Sequence, residues 1–422
     1  MIETFSLAPG ITLRCFQDDR FRQGFLSLQF LRSMCREEAA MNALLPAVLL
    51  RGCRGCPDLR AITNRLDDLY GAGVSALVRR IGDYQTTGLS CAFISDRFAL
   101  EGDRILEPML TFLGQLLLEP VTEDGGFSRE FVESEKKNLI SALEAERNDK
   151  RAYAAAQLMK TMCREDSFGI PRLGTVEGVS AIDHRKLYDH YETVLRESPV
   201  EIFYAGSAQP QQIADAVKTL FAGISRCYVN LPAQTPFHTC PGSSREEEME
   251  VAQAKLCMGF TTPITNQSRE FAAMQVCNAL FGGGPTSKLF LTVREQMSLC
   301  YSIGSGYYST KGILTVSAGI DSGKKDETQQ QILKQLDACR NGQFTPRELE
   351  AAKAAVISSL RSVHDSPGAI EGYYATAAIS GLAMTPAEYI RAVEAVTAEQ
   401  VSSAAGALQL HTTYFLKEAT VC

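Results

Sequence analysis

The chain has 422 residues, a length that predicts two domains of about 200 residues each rather than one large core. Hydrophobic residues make up 45% and charged residues 22%, as in ordinary globular proteins, and the net charge of −7 provides no basic surface for nucleic acid. The same charge argues weakly against binding to an anionic membrane, and no apolar run approaches the roughly 20 residues that cross a bilayer, so we expect neither partner.

The first residues read directly as a strand, without the basic and apolar blocks of a signal peptide. The 13 cysteines form no disulfide framework, and several lie in apolar runs, which favours reduced thiols. Both observations predict a cytoplasmic protein. Cys53 and Cys56 have the spacing of a metal or redox pair, but no second Cys-x-x-Cys completes a four-ligand site. An ordinary pair of loop cysteines and a metal or redox pair both remain open.

The first half of the chain alternates strand-like and helical patterns. An apolar strand at 24–31 is followed by a helix at 39–52, a strand at 88–94 and a long helix from 127–143. A strand and helix at 200–213 close this half. Strand runs joined by hairpin-like turns predict a mainly antiparallel sheet that is covered by helices.

The second half repeats this order. Residues 344–360 follow 127–143 at an offset of 217, and Phe, Ile, Ser and Leu coincide between the two segments. Strand-like runs at 255–260 and 312–320, and a helical run at 272–284, have counterparts in the first half. These matches predict an internal duplication and an α+β fold of two homologous domains. The simplest alternative is a structural pseudo-dimer with no chemistry.

The expected boundaries lie in a stretch rich in proline, polar and charged residues. We predict an N-terminal domain at 1–228, a linker at 229–248 and a C-terminal domain at 249–422.

Residues 278–307 read NALFGGGPTSKLFLTVREQMSLCYSIGSGY. The pattern predicts a helix that runs into three glycines, a second helix, and then Arg294 and Tyr301 seven residues apart. The glycines favour a tight helix–helix corner, because the spacing of a phosphate-binding loop is missing. Without further context, Arg294 is a favourable cation at a helix end and Tyr301 an aromatic residue at the start of a strand.

This stretch resembles the C-terminal domain of the insulinase/pitrilysin family of zinc metallopeptidases. Residues 287–290 match the family's Ser-(Arg/Lys)-Leu-Phe helix, and Arg294 and Tyr301 match its Arg-x₆-Tyr pair. The end of the first half, at 172–207, is also similar, so the resemblance spans nearly the whole chain. It implies a fold like that of the metallopeptidases and the mitochondrial processing peptidase. In the family, this arginine and tyrosine hold the substrate and stabilise the tetrahedral intermediate.

An active member of the family carries His-x-x-Glu-His on its first helix, where two histidines bind zinc and the glutamate activates water. The resemblance aligns these three positions with Ala43, Pro46 and Ala47, and the third ligand, a glutamate, with Ala142. Pro46 predicts a kink or restart of the helix. No two of the five histidines are three or four residues apart (His184, His190, His238, His364, His411). We therefore expect no cofactor in this chain and no peptidase activity of the chain alone.

The resemblance implies a non-catalytic subunit of a heterodimeric zinc peptidase. Its partner would be a homologue that bears His-x-x-Glu-His and zinc, and Arg294 and Tyr301 would act as catalytic and substrate-binding residues in peptide or protein processing. The peptide would add as a strand to a sheet edge in the partner. The alternative is an enzymatically silent scaffold or binding protein, as a homodimer or a complex subunit, with no role in proteolysis.

Overall fold

The computed structural model describes residues 2–237 and 240–419, so His238, one of the five histidines of the sequence, lies outside the described residues. The chain forms two compact units, and two of its segments belong to a different unit from the residues that flank them in sequence. The first unit comprises the chain up to Glu144, Ile170–Ala233 and His364–Ile379, and the second comprises Ala145–Gly169, Gln234–Val363 and the chain from Ser380 onward. The predicted domain boundaries at 228 and 249 separate two stretches of homologous sequence, and these boundaries remain a prediction.

The first unit contains a six-stranded sheet and a two-stranded hairpin. The strands of this unit are β1 (Ile2–Ala8), β2 (Ile11–Gln17), β3 (Gln23–Ser33), β4 (Gly73–Ile81), β5 (Tyr84–Ile94), the short β6 (Thr122–Glu123) and β7 (Gly126–Phe127), and β8 (Val200–Gly206). The sheet order is β1-β2-β8-β3-β5-β4, and every neighbouring pair is antiparallel except β2 and β8.

Eight helices lie between Arg36 and Phe221. They are α1 (Arg36–Leu49), α2 (Leu59–Asp67), α3 (Leu106–Leu118), α4 (Arg129–Asn148), α5 (Lys150–Met162), α6 (Val176–Ser180), α7 (His184–Glu197) and α8 (Pro210–Phe221). Leu28 of β3 and Leu89 of β5 pack in one core cluster with Leu45 of α1 and Leu113 of α3. Burying each leucine stabilises the unit by about 1.5–3 kcal/mol.

The opposite face of this sheet carries a buried carboxylate. Because side chains alternate along a strand, Ser27 and Gln29 of β3 point away from the leucine core. Both donate to Glu371 Oε1, at 2.7 and 3.2 Å, and Arg79 of β4 donates to both oxygens of that carboxylate at 2.9 and 2.8 Å. Glu371 belongs to the segment His364–Ile379, which is thereby tied to the first sheet.

The second unit contains a five-stranded sheet. Its strands are β9 (Ser243–Met249), β10 (Ala254–Thr261), β11 (Cys300–Tyr308), β12 (Ile313–Ile320) and β13 (Gln409–Glu418), in the order β11-β12-β10-β13-β9. Only β13 and β9 are parallel. The same order and directions occur along β4-β5-β3-β8-β2 of the first sheet. This shared topology is what a duplication would produce, and the duplication itself remains a prediction.

The remaining α-helices are α9 (Phe271–Phe281), α10 (Lys325–Arg340), α11 (Pro346–Arg361), α12 (Pro367–Ser380), α13 (Pro386–Glu394) and α14 (Ala398–Gly406), and a π-helix spans Leu289–Gln296. Short 3₁₀ turns occur at Asp96–Phe98, Leu100–Gly102, Ser167–Gly169, Ser322–Lys324 and Ser362–Asp365. α5 covers one face of the second sheet, where Ala154 and Leu158 pack on Cys257 and Tyr414. The predicted fold class, α+β with mainly antiparallel sheets covered by helices, is confirmed.

The last residues of the predicted linker lie in a strand, because Ser243–Met249 forms β9 and pairs with β13. One local prediction needs correction. Helix α1 does not restart at Pro46 but continues to Leu49. Proline at 46 leaves the carbonyl of Asn42 without its helical donor. Thr87 Oγ1 donates to that carbonyl at 2.7 Å and replaces the missing bond.

None of the described helices is both long enough and apolar enough to span a bilayer.

Candidate functional site

The four positions that align with the family's zinc site carry no ligand. Ala43 and Pro46 are buried on α1, Ala47 is half-buried, and Ala142 is exposed on α4. None of these side chains offers a lone pair to a metal. Within residues 2–237 and 240–419, no group of three or more histidine, cysteine, aspartate or glutamate residues could hold a metal ion.

A buried hydrogen-bond network takes up the polar groups beside these positions. Asn42 donates to Gln85 Oε1 at 2.9 Å, and Gln85 Nε2 donates to the carbonyls of Ala39 and Arg172 at 3.0 and 2.7 Å. His190 Nε2 lies 2.7 Å from Asn42 Oδ1, which can only accept, so this nitrogen carries the proton. Burial lowers the pKa of His190 to about 4, so the imidazole is neutral at pH 7. This histidine has a structural role.

Cys53 and Cys56 also occupy a packed position. Their backbones close a tight turn, with Cys53 N donating to Cys56 O at 2.8 Å and Cys56 N to Cys53 O at 2.9 Å. Both residues are buried, and burial raises the pKa of the Cys53 thiol. A protonated thiol is a poor nucleophile and a poor metal ligand, so this environment favours the ordinary pair over the metal site.

The glycine-rich corner is tightly packed, as predicted. Gly282 and Gly283 both donate to the carbonyl of Asn278, where α9 ends. A Cβ on Gly282 would lie 2.7 Å from Ser305 Oγ, and one on Gly283 would lie 2.8 Å from Ala279 Cα. Larger residues cannot make these close approaches. The predicted second helix follows the corner as the π-helix Leu289–Gln296, which carries Arg294.

Three irregularities lie close together between Arg294 and the start of β11. A π-helix is rare and is often found at functional sites. Ser298 has a φ of 51°, in the left-handed region that non-glycine residues seldom adopt. Cys300 pairs with Ile320 and Ser302 with Gly319, so Tyr301 is an extra residue in a β-bulge. Bulges redirect side chains, and Tyr301 is 59% exposed at the edge of the sheet.

The structure brings Arg294 and Tyr301 together in one cleft of the second unit, with a volume of ≈ 240 Å³. The cleft is lined by cationic, hydroxyl-bearing and small side chains: Arg151, Lys255, Cys257, Phe290, Arg294, Tyr301, Ser302, Ile303, Gly304, Ser317, Ala318 and Gly319. The Arg294 guanidinium carbon lies 4.6 Å from the centre of the Phe290 ring, and one of its nitrogens lies 3.5 Å from Glu295 Oε1. Arg294 is thus held over an aromatic face but stays 38% exposed.

The Tyr301 hydroxyl donates to Asp321 Oδ1 at 3.1 Å. This hydrogen bond to a carboxylate raises the pKa of Tyr301, so the phenol is neutral at pH 7 and acts as a donor. Burial raises the pKa of Cys257 to about 11, so the cleft offers no thiolate nucleophile. Fixed positive charge beside a neutral donor can bind an acceptor and stabilise developing negative charge.

Arg151 and Lys255 are lining residues that the sequence analysis missed. The alternation in KLCMGF places Lys255 and Cys257 on the sheet face opposite to Leu256 and Met258, and this pattern was available in the sequence. Arg151 is brought to the cleft by α5, which precedes β10 by about a hundred residues. No periodicity in the sequence could have shown that Arg151 lies in the same cleft as Lys255.

Comparisons with known proteins give a consistent result. Residues 181–356 match the family described as Peptidase M16 inactive domain, and the matched span contains both Arg294 and Tyr301. A probable inactive metalloprotease, YmfF of Bacillus subtilis (strain 168), is 28% identical over 408 residues, which cover 97% of this chain and 96% of the relative.

Two further similarities extend this picture. An uncharacterised zinc protease, YmxG of Bacillus subtilis (strain 168), is 24% identical over 309 residues, which cover 72% of this chain and 74% of the relative. The crystal structure of a conserved protein from Enterococcus faecalis V583 superimposes with a TM-score of 0.92 at 26% identity and covers 100% of this chain and 99% of that protein.

Proposed function

We propose that the chain is one subunit of a heterodimeric zinc peptidase, on the premise that it is similar to a probable inactive metalloprotease and to the M16 inactive domain and has no His-x-x-Glu-His motif. In this proposal the partner is a homologous subunit that bears His-x-x-Glu-His and supplies the zinc. This chain supplies Arg294 and Tyr301 to the partner's active site, and the substrate is a peptide or protein. Alone, the chain is not a peptidase.

One observation carries the proposal. Arg294 and Tyr301, which the family uses to hold substrate and stabilise the tetrahedral intermediate, line the same cleft in this chain. They are presented by a π-helix, a left-handed serine and a β-bulge. Irregular backbone of this kind has an energetic cost and is concentrated at functional sites. An arginine and a tyrosine that only ended a helix and began a strand would not need it.

The two side chains suit a developing oxyanion. The guanidinium of Arg294 supplies a positive charge and several donors in one plane. The Tyr301 hydroxyl has a single proton, which Asp321 accepts in the free chain. Donation to a substrate oxygen therefore requires the hydroxyl to turn away from Asp321. We propose that, when substrate binds, the Tyr301 hydroxyl breaks its hydrogen bond to Asp321 and donates to a substrate oxygen.

The relatives support a division of labour between two chains. One organism, Bacillus subtilis (strain 168), has both a relative named as probably inactive and a relative named as a zinc protease. We propose a corresponding pair here, built from duplicated chains as the shared strand order of the two sheets suggests. All cysteines in the described residues are free, which supports a cytoplasmic location for the pair.

The test is reconstitution with the zinc-bearing homologue from the same genome. We expect the mixture to form a stable complex by light scattering and to cleave peptides that neither chain cleaves alone. An interface that persists in this way should bury more than about 2,000 Å². If the chains do not associate and the activity of the zinc-bearing chain does not rise, the pairing is wrong. An enzymatically silent scaffold would then be the remaining account.

A further inference from the structure

The cleft that holds Arg294 and Tyr301 also contains two cations that the catalytic proposal does not use. Arg151 near the start of α5 and Lys255 of β10 both line it, and no aspartate or glutamate does. In the part of the chain that the structure describes, neither Arg151 nor Lys255 forms an ion pair with a carboxylate. Like charges gathered in one cleft repel one another, and a bound anion relieves that repulsion.

The side chain of Lys255 is held in the cleft by its packing and by a hydrogen bond. Lys255 is half-buried, and its ammonium donates to Gln253 Oε1, a neutral acceptor, at 2.9 Å. Burial lowers the pKa of Lys255 and the nearby charge of Arg151 also lowers it, whereas Cys257 and Asp149 act in the opposite direction. The glycine at 319 is required here, because a Cβ would lie 2.8 Å from Gln253 Oε1 and 3.3 Å from Lys255 Nζ.

Asp149 is the acid closest in sequence to these cations, and it has another role. It caps α5 by accepting from the backbone N–H groups of Arg151 and Ala152 at 3.0 and 3.1 Å. Both amides donate to the same oxygen, Oδ1, which stabilises the helix N-terminus, and the charge of Asp149 only partly offsets the cations of the cleft. The Arg151 guanidinium itself has no hydrogen-bond partner among residues 2–237 and 240–419. It is therefore available to a ligand.

We infer that the cleft binds a carboxylate group of a peptide, with Lys255 and Arg151 as its counter-ions beside Arg294 and Tyr301. This inference deepens the proposed function, on which it rests for the peptide nature of the ligand. It assigns a substrate class: peptides that present either a free C-terminal carboxylate or an acidic side chain close to the Arg294–Tyr301 pair. A volume of ≈ 240 Å³ holds one such group with the residue that carries it.

Isothermal titration calorimetry of the full chain with three acetylated octapeptides tests the inference without any partner. The first peptide has a free C-terminus and neutral side chains, the second has a C-terminal amide and one central glutamate, and the third has a C-terminal amide and glutamine in place of that glutamate. At low ionic strength, we expect at least one carboxylate peptide to bind at least about tenfold tighter than the neutral one, as charge-assisted hydrogen bonds imply. Which of the two binds identifies the source of the carboxylate.

Three variants complete the test. Arg151→Gln and Lys255→Gln should each weaken binding of the preferred peptide about tenfold, whereas Lys334→Gln removes an exposed lysine outside the cleft and should change nothing. Arg151 is exposed, so its variant folds even if Lys255→Gln does not. Equal binding of all three peptides, absence of binding, or a preference that neither variant alters would overturn the inference. Any of these results would leave the reconstitution experiment, which depends on the partner, unaffected.

Discussion

The two units share one order of strands but differ at the place where chemistry would occur. In the first unit, α1 continues through Pro46, and Thr87 donates to the backbone carbonyl of Asn42 that the proline leaves without a donor. The side chains of Asn42 and His190 form part of a buried hydrogen-bond network beside Ala43. Each feature there serves packing. In the second unit, the segment 289–301 contains a π-helix, a left-handed residue and a bulge, with exposed charge in the cleft.

The difference indicates in which unit the proposed site should be tested. At the positions that the resemblance aligns with a zinc site, this chain has alanine and proline, and the surrounding polar groups have partners inside the protein. The backbone at 289–301 is irregular, and irregular backbone of this kind has an energetic cost. Changes in the first unit should therefore affect stability, and changes in the cleft should affect the turnover of an assembled pair. The predictions below test this contrast.

The largest expected effect concerns Arg294. In size-selected heterodimers, Arg294→Ala should lower kcat by roughly 10²–10³, about 3–4 kcal/mol, because a preorganised charge at the developing oxyanion is lost. Arg294→Lys should lower it less, since lysine keeps the charge but not the planar fork. Steady-state kinetics measure both values. Variants that lower the melting temperature and leave kcat intact would show that Arg294 is only a helix-end cation.

The next effect belongs to the first unit and depends on pH. The pKa of His190 is about 4 in the folded chain and about 6.5 in the unfolded chain, so between these values the unfolded state binds one more proton. This contribution to stability is fully present above pH 6.5 and falls as the pH drops toward 4, by up to about 3 kcal/mol. His190→Gln should remove it. Urea unfolding at several pH values compares the two proteins, and identical pH slopes would contradict the buried neutral imidazole.

The smallest effect concerns Ser298. Glycine adopts a positive φ without strain, so Ser298→Gly should stabilise the chain by up to about 1 kcal/mol after the entropic cost of glycine. If the strained turn positions the bulge, the same variant should also lower kcat of the pair modestly. Thermal unfolding and kinetics on one preparation measure both quantities. A loss of stability would contradict this account, because it would mean that the side chain of Ser298 stabilises the fold by more than its backbone strain costs.

The sequence was sufficient for the parts of the fold that depend on local pattern. The strands at β3, β5, β10 and β12 were predicted from apolar and alternating runs. The helix before the glycines was predicted in the same way. The juxtaposition of Arg294 and Tyr301 came from the family resemblance, and the cleft agrees with it.

What could not be predicted depends on contacts that are distant in sequence. The continuation of α1 through Pro46 requires Thr87, a residue on β5, and nothing near Pro46 indicates it. The grouping of His364–Ile379 with the first unit depends on the buried bonds of Glu371. The π-helix differs from an α-helix by a shift in hydrogen bonding that has no distinct periodicity in eight residues. Arg151 reaches the cleft only through the position of α5.

The most direct test of the central claim is the turnover of a Tyr301→Phe heterodimer. The substitution removes one hydroxyl and its bond to Asp321 from an exposed ring, so assembly and melting temperature should change little. If Tyr301 donates to the transition state in the partner's active site, kcat should fall by roughly 10²–10³. An unchanged kcat in correctly assembled heterodimers would contradict the catalytic role of this chain.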